Sequence, residues 1–537
     1  MADSLGQQLL RRLRRHREGL GTLPHTRDDQ LPDPPSAQLL RQAAKAAASG
    51  RSDDREELAL LLLAVDRAGE AGLLAEAERL LLRAEPRLWL ALDVATRRSW
   101  WHAPRWSAAA VERVAVGEPG LVGLVVASFH PDGYVREAAV ARLSEFDEPL
   151  AAAPLALRAA DWVPQVRDRA RVTLERRLID PSGAMLVAVG PVALALQQRC
   201  EGGWLVERIQ TMLREGPAAL LQAALGARDW RMRRAAYAAA LASGRLDLSQ
   251  LLDAATHDSD LLTRVRCAEA AVTTALAAGT VDAVRCLLAS GTAAVRAEVV
   301  HALARAGDVG PAIAALSDRN PMVRAVAQAG LRRAGSDPAE RYRQLIATAQ
   351  PEPGVIAGLA ETGGPQDVRL VMPWRAHPLP SGRVEAVRAL RRLGAANPET
   401  VGELLGDPSA AVTRQVAIAL RPWAAQLSLE RLRGLLAAAR PQHVRVAAYR
   451  LLRERDTWTR LLIDLELVAD QSPALRNRAR GDIEAWLARE AATTYSRPHG
   501  DAADALAERL QCVETVLGRD QVRLLRFHLG LTPAAST

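Results

Sequence analysis

An apolar residue recurs along this chain with a period near 30 residues, and this repeat constrains the fold more than any other feature of the sequence. Successive copies lie 28 to 33 residues apart, except across one gap of 66 residues, which spans two periods and predicts a degenerate copy near Cys200. The copies are Val135, Val166, Met232, Val265, Val295, Val323, Val355, Val384, Val412, Val444 and Leu475. A fixed period of this length predicts stacked copies of one supersecondary unit.

The stretch Leu303–Arg333 contains one complete unit. Gly310 and Pro311 predict the start of a first short helix, because Pro suits the first helical turn. Asp318–Pro321 predicts a turn and the start of a second helix, along which apolar residues recur at helical spacing from Val323 onward. One helical hairpin cannot bury its apolar face alone. The sequence therefore predicts an all-α fold, an α-solenoid (superhelix) of about twelve helical-hairpin repeats with atypical terminal caps.

Three residue types keep fixed positions around the repeated apolar residue. Arg follows it at Arg136, Arg167, Arg233, Arg266, Arg296, Arg324, Arg445 and Arg476. Asp stands five residues before it at Asp161, Asp260, Asp318, Asp407 and Asp470. Pro stands two residues before it at Pro164, Pro321, Pro353 and Pro473.

The resulting pattern, D-x-x-P-x-V-R-x-x-A, resembles the HEAT family of helical repeats, especially the short repeats of bacterial proteins and phycobilin lyases. The resemblance covers Gly117–Glu490 and implies a fold more than an activity. In that family the turn Asp and the Arg of the following helix form a ladder between neighbouring repeats. The resemblance implies that Asp318 forms a rung with Arg296 or Arg324. The other implied ladder residues are Asp161, Arg167, Asp260, Arg266, Asp407, Arg445, Asp470 and Arg476.

The repeat pattern divides the chain into four parts. These are a basic segment with a Pro-rich linker (1–36), a helical cap (37–116), the repeat array (117–490) and a C-terminal helical cap with a tail (491–537). The basic segment is either an interaction arm for an acidic partner or membrane surface, or a terminal helix with a solvated charged face.

Charge and cysteine usage narrow the class of protein. The net charge is +8, but residues 1–27 hold six Arg against two acidic residues, so the remainder is almost balanced and gives little support for nucleic-acid binding. Four scattered cysteines without CxxC spacing predict free, buried thiols in a reducing compartment. No secretory signal or membrane-spanning run is present in the sequence, which favours a cytoplasmic bacterial protein.

Four of the eleven Trp fall within 18 residues, interleaved with Arg. Trp and Arg are enriched at the energetic centres of protein interfaces, and they can also stack on bases. The alternative is that the Trp side chains fill the core of an atypical capping repeat. The candidate partner-binding residues are Trp89, Arg97, Arg98, Trp100, Trp101, Arg105 and Trp106.

Two groups of residues resemble catalytic or metal sites in composition only. His257, Asp258 and Asp260 are metal-ligand types, but they lie in a turn where Asp caps the next helix. A second group at 496–501 contains Ser, His and Asp, too close in sequence to face one another as a triad. No phosphate-binding or dinucleotide-binding glycine motif is present. We therefore predict no catalytic, cofactor-binding or metal residues.

The predicted function is non-catalytic binding of another protein, as a scaffold or adaptor. Two alternatives stay open from the sequence. The first is a nucleic-acid-binding protein, including one similar to the HEAT-like alkylpurine DNA glycosylases, which would need a Trp and an Asp beside an Arg-lined groove. Trp162, Trp204 and Trp230 are the residues that could supply that Trp. The second is an accessory protein similar to the bilin lyases.

Overall fold

The computed structural model describes residues 31–49, 52–98, 106–115, 119–348 and 350–531, so most of the predicted basic N-terminal segment lies outside it. Within these ranges every regular element is a helix, and no helix is both long and apolar enough to cross a membrane. The chain divides into two compact units, Met1–Thr274 and Ala275–Thr537. Each unit has a hydrophobic core of its own.

The first unit begins with helices that precede the repeats: α1 (Ala37–Ser49), α2 (Ser52–Ala68), α3 (Ala71–Leu82), α4 (Pro86–Arg98) and α5 (Ser107–Ala115). Helical hairpins follow, each with a first and a second helix. They are α6 (Leu121–Ala127) with α7 (Gly133–Leu143), α8 (Pro149–Arg158) with α9 (Pro164–Arg177), α10 (Gly183–Ala195) with α11 (Gly203–Glu215), α12 (Ala218–Leu225) with α13 (Trp230–Ala242), and α14 (Leu248–His257) with α15 (Leu261–Ala277).

The hairpins of the second unit have shorter first helices, several of them partly 3₁₀. They are the 3₁₀ helix Val281–Ala289 with α16 (Ala293–Arg305), α17 (Gly310–Ala315) with α18 (Pro321–Arg333), α19 (Pro338–Ile346) with α20 (Pro353–Thr362), α21 (Val368–Val371) with α22 (Pro380–Arg392), α23 (Pro398–Val401) with α24 (Ala410–Leu420), α25 (Leu429–Leu436) with α26 (Gln442–Leu452), and α27 (Thr457–Leu467) with α28 (Pro473–Arg489). Further 3₁₀ segments are Pro365–Asp367, Met372–Ala376, Gly402–Gly406, Arg421–Gln426 and Ala491–Thr493. The chain closes with α29 (Asp501–Cys512), α30 (Glu514–Leu517) and α31 (Arg519–Leu529).

Neighbouring hairpins pack second helix on second helix, as seen for α16 on α18, α20 on α22, α22 on α24 and α24 on α26. This stacking of successive hairpins defines an α-solenoid and confirms the predicted fold class. From α6 to α28 the described chain forms twelve hairpins, which agrees with the number predicted from the period. The bounds of the array at Gly117 and Glu490 come from the sequence pattern alone and remain a prediction.

The repeated apolar residue has one structural position in most copies. It is the third residue of the second helix, on the face that packs against the neighbouring helices, and it is buried in every one of these copies. The residues are Val135, Val166, Met232, Val295, Val323, Val355, Val412, Val444 and Leu475.

The predicted register was wrong by two residues at two copies. Val265 and Val384 are the fifth residues of α15 and α22, and the third positions are held by Thr263 and Gly382. Thr263 is buried, whereas Val265 is only half-buried. Thr263 and Gly382 are not apolar, so a search for a repeated apolar residue selects the Val two positions later, although positions two apart do not share a helix face.

The N-terminal helices are joined to the array by a buried carboxylate. Asp93 on α4 forms ion pairs with Arg158 at the end of α8 and with Arg199 in the turn after α10, the latter at 2.8 Å. Arg158 is fully buried and also donates to Asp161 at 2.6 Å. Because a buried charge is costly without partners, this network fixes α4 against the first helices of the hairpins.

The cysteines are free, as predicted, but only Cys267 is buried. Cys200, Cys286 and Cys512 are exposed, which corrects the prediction of buried thiols. Burial, together with the nearby charge of Asp258, raises the pKa of Cys267 to about 12.

A pair of carboxyl groups is buried between α26, α27 and α28. Asp464 is fully buried and accepts a hydrogen bond of 2.5 Å from the Tyr449 hydroxyl at Oδ1. Its Oδ2 is buried and has no hydrogen-bond partner among the described residues. Asp482 is ion-paired with Arg453 and Arg460. Burial and the neighbouring Asp482 charge raise the pKa of Asp464 to about 8.

We expect Asp464 to make stability depend on pH. The raised pKa means that the folded state keeps a proton that the unfolded state has lost, so stability falls as pH rises from about 4 to about 8, by at most about 1.4 kcal/mol per pH unit. Asp464→Asn keeps an acceptor oxygen for the Tyr449 hydroxyl and does not titrate. In urea unfolding between pH 5 and pH 9, the variant should gain on the parent as pH rises. Asp520→Asn, an exposed control, should not; equal pH profiles for parent and Asp464→Asn would contradict the protonated carboxyl.

Val323 tests the register of the array. Its side chain is 1% exposed, whereas that of the preceding Met322 is 45% exposed. Val323→Asp should remove about 1.5–3 kcal/mol of burial and add the cost of an unpaired buried charge. Because repeats couple mainly to their neighbours, urea unfolding followed by circular dichroism should also become multi-step. Met322→Asp is the matched control and should melt like the parent; a Val323→Asp variant that does the same would show that the register is wrong.

Candidate protein-docking surface

The Arg that follows the repeated apolar residue connects two hairpin turns. Arg296 is the fourth residue of α16. Its Nε and Nη2 donate to the two carboxylate oxygens of Asp318 in the next hairpin turn, each at 2.8 Å. Its Nη1 donates to the Ser290 carbonyl, in the turn that precedes its own helix, at 2.7 Å. The guanidinium therefore bridges two turns with a bidentate, charge-assisted contact. We call this arrangement the arginine clamp.

The same geometry recurs in both units. The other clamp pairs are Arg136 with Asp161, Arg233 with Asp258, and Arg383 with Asp407. Arg445 also pairs with the next turn, at Asp470, but through its two Nη atoms, while its Nε donates to the Leu436 carbonyl. Arg324 is the variant case, because it donates to the carbonyl of Asp318 and pairs its guanidinium with Glu361. Arg167 and Arg476 each donate to a carbonyl of the turn that precedes their own helix, Arg167 to that of Asp161 and Arg476 to that of Asp470.

Each turn carboxylate also stabilises its own turn. Asp318 accepts the backbone N–H of Asn320 at 2.8 Å, and Asp407 does the same for Ser409. Burial alone would raise the pKa of Asp318, but the hydrogen bonds from Arg296 and Asn320 outweigh it and hold the pKa below its usual value. The carboxylate stays ionised in the folded chain, as the clamp requires.

Two predicted ladder residues are placed differently by the structure. Arg266 is exposed, and Arg264 instead donates to the Ala255 carbonyl. Asp260 is not the turn residue of the clamp, because Asp258 has that role. Asp260 caps α15 by accepting from Thr263, and it pairs with Arg234, which lowers its pKa to about 2. The cause is the two-residue register difference at this hairpin.

His replaces the turn Asp in two hairpins. Nδ1 of His130 accepts the N–H of Asp132 at 3.0 Å, and Nδ1 of His377 accepts that of Leu379 at 3.0 Å. His130 is also 2.5 Å from the Ser107 hydroxyl through Nε2. Because Nδ1 is an acceptor, Nε2 of the neutral ring carries the hydrogen and donates to Ser107. This tautomer cannot take a proton from the serine, so the pair is structural. Burial lowers the pKa of His130 to about 4.

The predicted Trp–Arg cluster does not form an exposed surface where it is described. Trp106 is fully buried and its ring packs edge-on against His130. Trp89 is buried against Phe129. Trp106 therefore belongs to the core and is not available to a partner. The side chains of Arg97 and Arg98, and the whole of residues 99–105 with Trp100, Trp101 and Arg105, lie outside the described residues.

A different set of aromatic and apolar residues lies on the surface of the first unit. One such residue is found at the turn between the two helices of each hairpin, where the second helix begins. Since the hairpins stack in order, these residues lie along one edge of the unit. We call them the aromatic edge, and they are Tyr134, Trp162, Trp204, Trp230 and Leu261. Trp162 is the most exposed of the Trp residues in this set, at 66%, while Trp204 is half-buried.

Arg side chains hold the three indole rings of the aromatic edge. The guanidinium carbons of Arg231 and Arg234 each lie 4.5 Å from the centre of the Trp230 ring. Trp204 has two Arg neighbours, at 5.2 and 6.0 Å, and Trp162 has one, at 5.7 Å. Cation–π contacts of this kind fix both groups. The ring orientation is therefore set before any partner arrives.

Most of these Arg charges are already neutralised within the unit. Arg136, Arg171, Arg231 and Arg234 are each ion-paired with a carboxylate of the described residues. The aromatic edge thus presents aromatic area and hydrogen-bond donors with little net charge. Rigid Trp and Arg in this combination are typical of protein interface centres.

A cleft of about 690 Å³ adjoins the aromatic edge at Trp230. Its floor is apolar and comes from α8 and α10, with Leu150, Val187 and Pro191 among its residues. Charged side chains at the turn between α3 and α4 and at the start of α13 form its rim, and the buried Trp89 also borders it. An apolar floor with a few polar groups is typical of a binding cleft.

The residue groups that imitate catalytic sites are not assembled. His257 pairs only with Asp253 on the surface, while Asp258 and Asp260 are used by Arg233 and Arg234. Among the described residues no group of three His, Cys, Asp or Glu side chains is placed to hold a metal ion. In the second group, His499 contacts the Arg497 carbonyl, and Ser496 and Asp501 are exposed.

These features define a helical-repeat protein with a pre-ordered aromatic and arginine surface. No protein-family model matches the sequence, and no curated protein matches it. Among solved structures, the chain is similar to importin beta crystallised in an ammonium sulfate condition, at 12% identity over 92% of this chain and 69% of that chain, with a TM-score of 0.30. It is also similar to importin beta crystallised in a polyethylene glycol condition, at 12% identity over 92% and 82%, with a TM-score of 0.28. Likeness at this level assigns neither a family nor an activity.

The arginine clamp should stabilise the array measurably. Arg296→Gln leaves the part-buried Asp318 carboxylate without its ion partner, which should cost about 1.5–3 kcal/mol of unfolding free energy. Adding Asp318→Asn should restore part of that loss, so a double-mutant cycle in urea should give a favourable coupling energy. The control cycle uses Arg523 and Asp520, whose side chains are 82% and 91% exposed, and should give no measurable coupling. Equal results for both pairs would show that the clamp does not support the fold.

Proposed function

We propose that this chain is a non-catalytic scaffold or adaptor that binds another protein through the aromatic edge and the adjoining cleft of its first unit. The observation that carries the proposal is the row of Trp side chains held by Arg along one edge. Exposed aromatic area that is fixed in advance loses little conformational freedom on binding. The cleft next to Trp230 gives room for an apolar side chain of the partner.

The contacts that Asp229 and the Trp rings already make favour a protein over a nucleic acid as the partner. Trp230 and Asp229 both border the cleft, and a glycosylase-like site would need a Trp and an Asp. However, Asp229 caps α13 by accepting from Arg231 and Met232, so its carboxylate is occupied. The rings of Trp204 and Trp230 have Arg side chains against them, which leaves less ring face free for a base.

Affinity capture with matched variants tests the proposal. The full chain is immobilised and exposed to extract of the source organism, and bound protein and nucleic acid are both quantified. Trp162→Ala with Trp230→Ala should reduce capture of the specific protein partner about tenfold or more, because interface Trp side chains often contribute 2 kcal/mol or more. Ile179→Ala removes an apolar side chain that is 81% exposed, more than either Trp, in the connection between α9 and α10, and it should capture the partner like the parent.

Two outcomes would contradict a protein-binding function. One is undiminished capture by the double variant after circular dichroism has shown that it is folded. The other is submicromolar binding of duplex or single-stranded DNA at physiological salt, with a salt dependence that falls when Arg296, Arg324 and Arg445 are changed to Gln, because each phosphate contact adds about 0.9 to the slope. Weak DNA binding that is lost on deleting residues 1–27 would locate the basic charge in that segment instead.

A further inference from the structure

Three Arg side chains on the last three hairpins of the second unit have no carboxylate partner among the described residues. They are Arg414 on α24, Arg450 on α26 and Arg478 on α28, and all three are exposed. This differs from the Arg residues around them. Arg453, the residue directly after α26, is paired with Asp482, and Arg388 on α22 is paired with Glu385.

The three charges act on one another. The pKa of Arg450 is lowered, first because part of its side chain is buried and then because of the positive charges of Arg478 and Arg414. Both charged groups that affect Arg450 are therefore cationic, although they lie on two different helices. Like charges so placed are unfavourable in the free chain, and an anionic ligand would relieve the repulsion.

A groove of about 410 Å³ lies between α24 and α26 at this cluster. Arg414 and Arg450 stand on its two sides, and Val446 and Ala410 supply apolar surface between them. The ring of His443 is also in the groove, with Nε2 3.1 Å from the Asp407 carbonyl, so its orientation is fixed by the turn. The groove therefore combines cationic sides with an apolar strip.

Carboxylates stand among the Arg side chains of the next groove along the second helices. That groove, between α18, α20 and α22, is lined by Arg319, Arg391 and Arg392, and by Glu361 and Glu385, which neutralise Arg324 and Arg388. The groove between α24 and α26 has no carboxylate among the described residues that line it. Packed helices lie about 8–10 Å apart, so three helices span roughly 20 Å, the length of about six residues of extended chain.

We propose that the groove between α24 and α26, together with Arg478, binds a short acidic segment of another protein. Carboxylates of the segment contact the guanidinium groups of Arg414, Arg450 and Arg478. One aliphatic side chain of the segment packs on Val446 and Ala410. A nucleic acid would need a continuous series of phosphate contacts, and Glu361 and Glu385 in the next groove would repel a phosphate backbone that continued there, which favours a short peptide. This basic groove is separate from the aromatic edge and does not depend on the function proposed for that edge.

Fluorescence anisotropy with the full chain tests the basic groove. The probe is a fluorescein-labelled peptide of about eight residues, long enough to span the three helices, in which pairs of Glu alternate with Leu. The same peptide with Gln in place of Glu, and an oligo-dT of about eight nucleotides, are the comparison ligands. Changing Arg414, Arg450 and Arg478 to Gln should weaken binding of the Glu peptide about tenfold or more, because charge-assisted hydrogen bonds are lost.

The control variant removes the same charge elsewhere in the second unit. Arg519, Arg523 and Arg526 on α31 are changed to Gln, and this variant should bind the Glu peptide within about twofold of the parent, because distant exposed charges are screened. Binding of the Glu peptide by the parent and the control, with loss only in the groove variant, supports the proposal. No binding of the Glu peptide, equal loss in both variants, equal binding of the Gln peptide, or tighter binding of oligo-dT would each overturn it.

Discussion

The arginine clamp is the interaction on which the rest of this structure depends. A hairpin stacked only by apolar contacts could slide along its neighbour, since Val, Leu and Ala side chains fill many registers about equally well. The guanidinium of Arg296 fits Asp318 in one register only, because two parallel hydrogen bonds and a third to Ser290 must form together. The clamp therefore adds a directional constraint at the turn to the non-directional packing of the core.

At one hairpin turn the clamp also explains why an aromatic side chain comes to the surface. Asp161 is engaged by Arg136 and Arg158, and the next residue, Trp162, lies over the Arg136 guanidinium. The indole covers an ion pair that is almost completely buried, while 66% of its own surface stays exposed. A structural contact of this kind leaves an ordered aromatic surface outside the fold, which is what a protein partner can use.

The two proposed surfaces differ in how their charges are balanced. Along the aromatic edge, Arg171 and Arg234 are neutralised by carboxylates of the same unit, so the surface offers aromatic area. In the basic groove, the charged groups that lower the pKa of Arg450 are the positive Arg478 and Arg414. Both surfaces carry Arg side chains on the same kind of repeating hairpin. Their net charge differs because, among the described residues, a Glu or Asp lies near the Arg side chains of the aromatic edge but not near those of the basic groove. A repeat protein can in this way carry separate binding surfaces without changing its fold.

The sequence by itself determined the repeat, the all-helical class and the number of hairpins, because a period near 30 with helical spacing has few other solutions. It also located Arg296, Asp318, Arg445 and Asp470, whose positions follow directly from that period. Only the tertiary structure decided the register at Val265 and Val384, since the residues at the equivalent positions, Thr263 and Gly382, are not apolar and do not continue the repeated pattern in the sequence. Tertiary packing likewise decided that Trp106 is core and Trp162 is surface, because both are Trp beside Arg or polar residues in the sequence. Exposure depends on which helices cover a residue, and those helices come from distant parts of the chain.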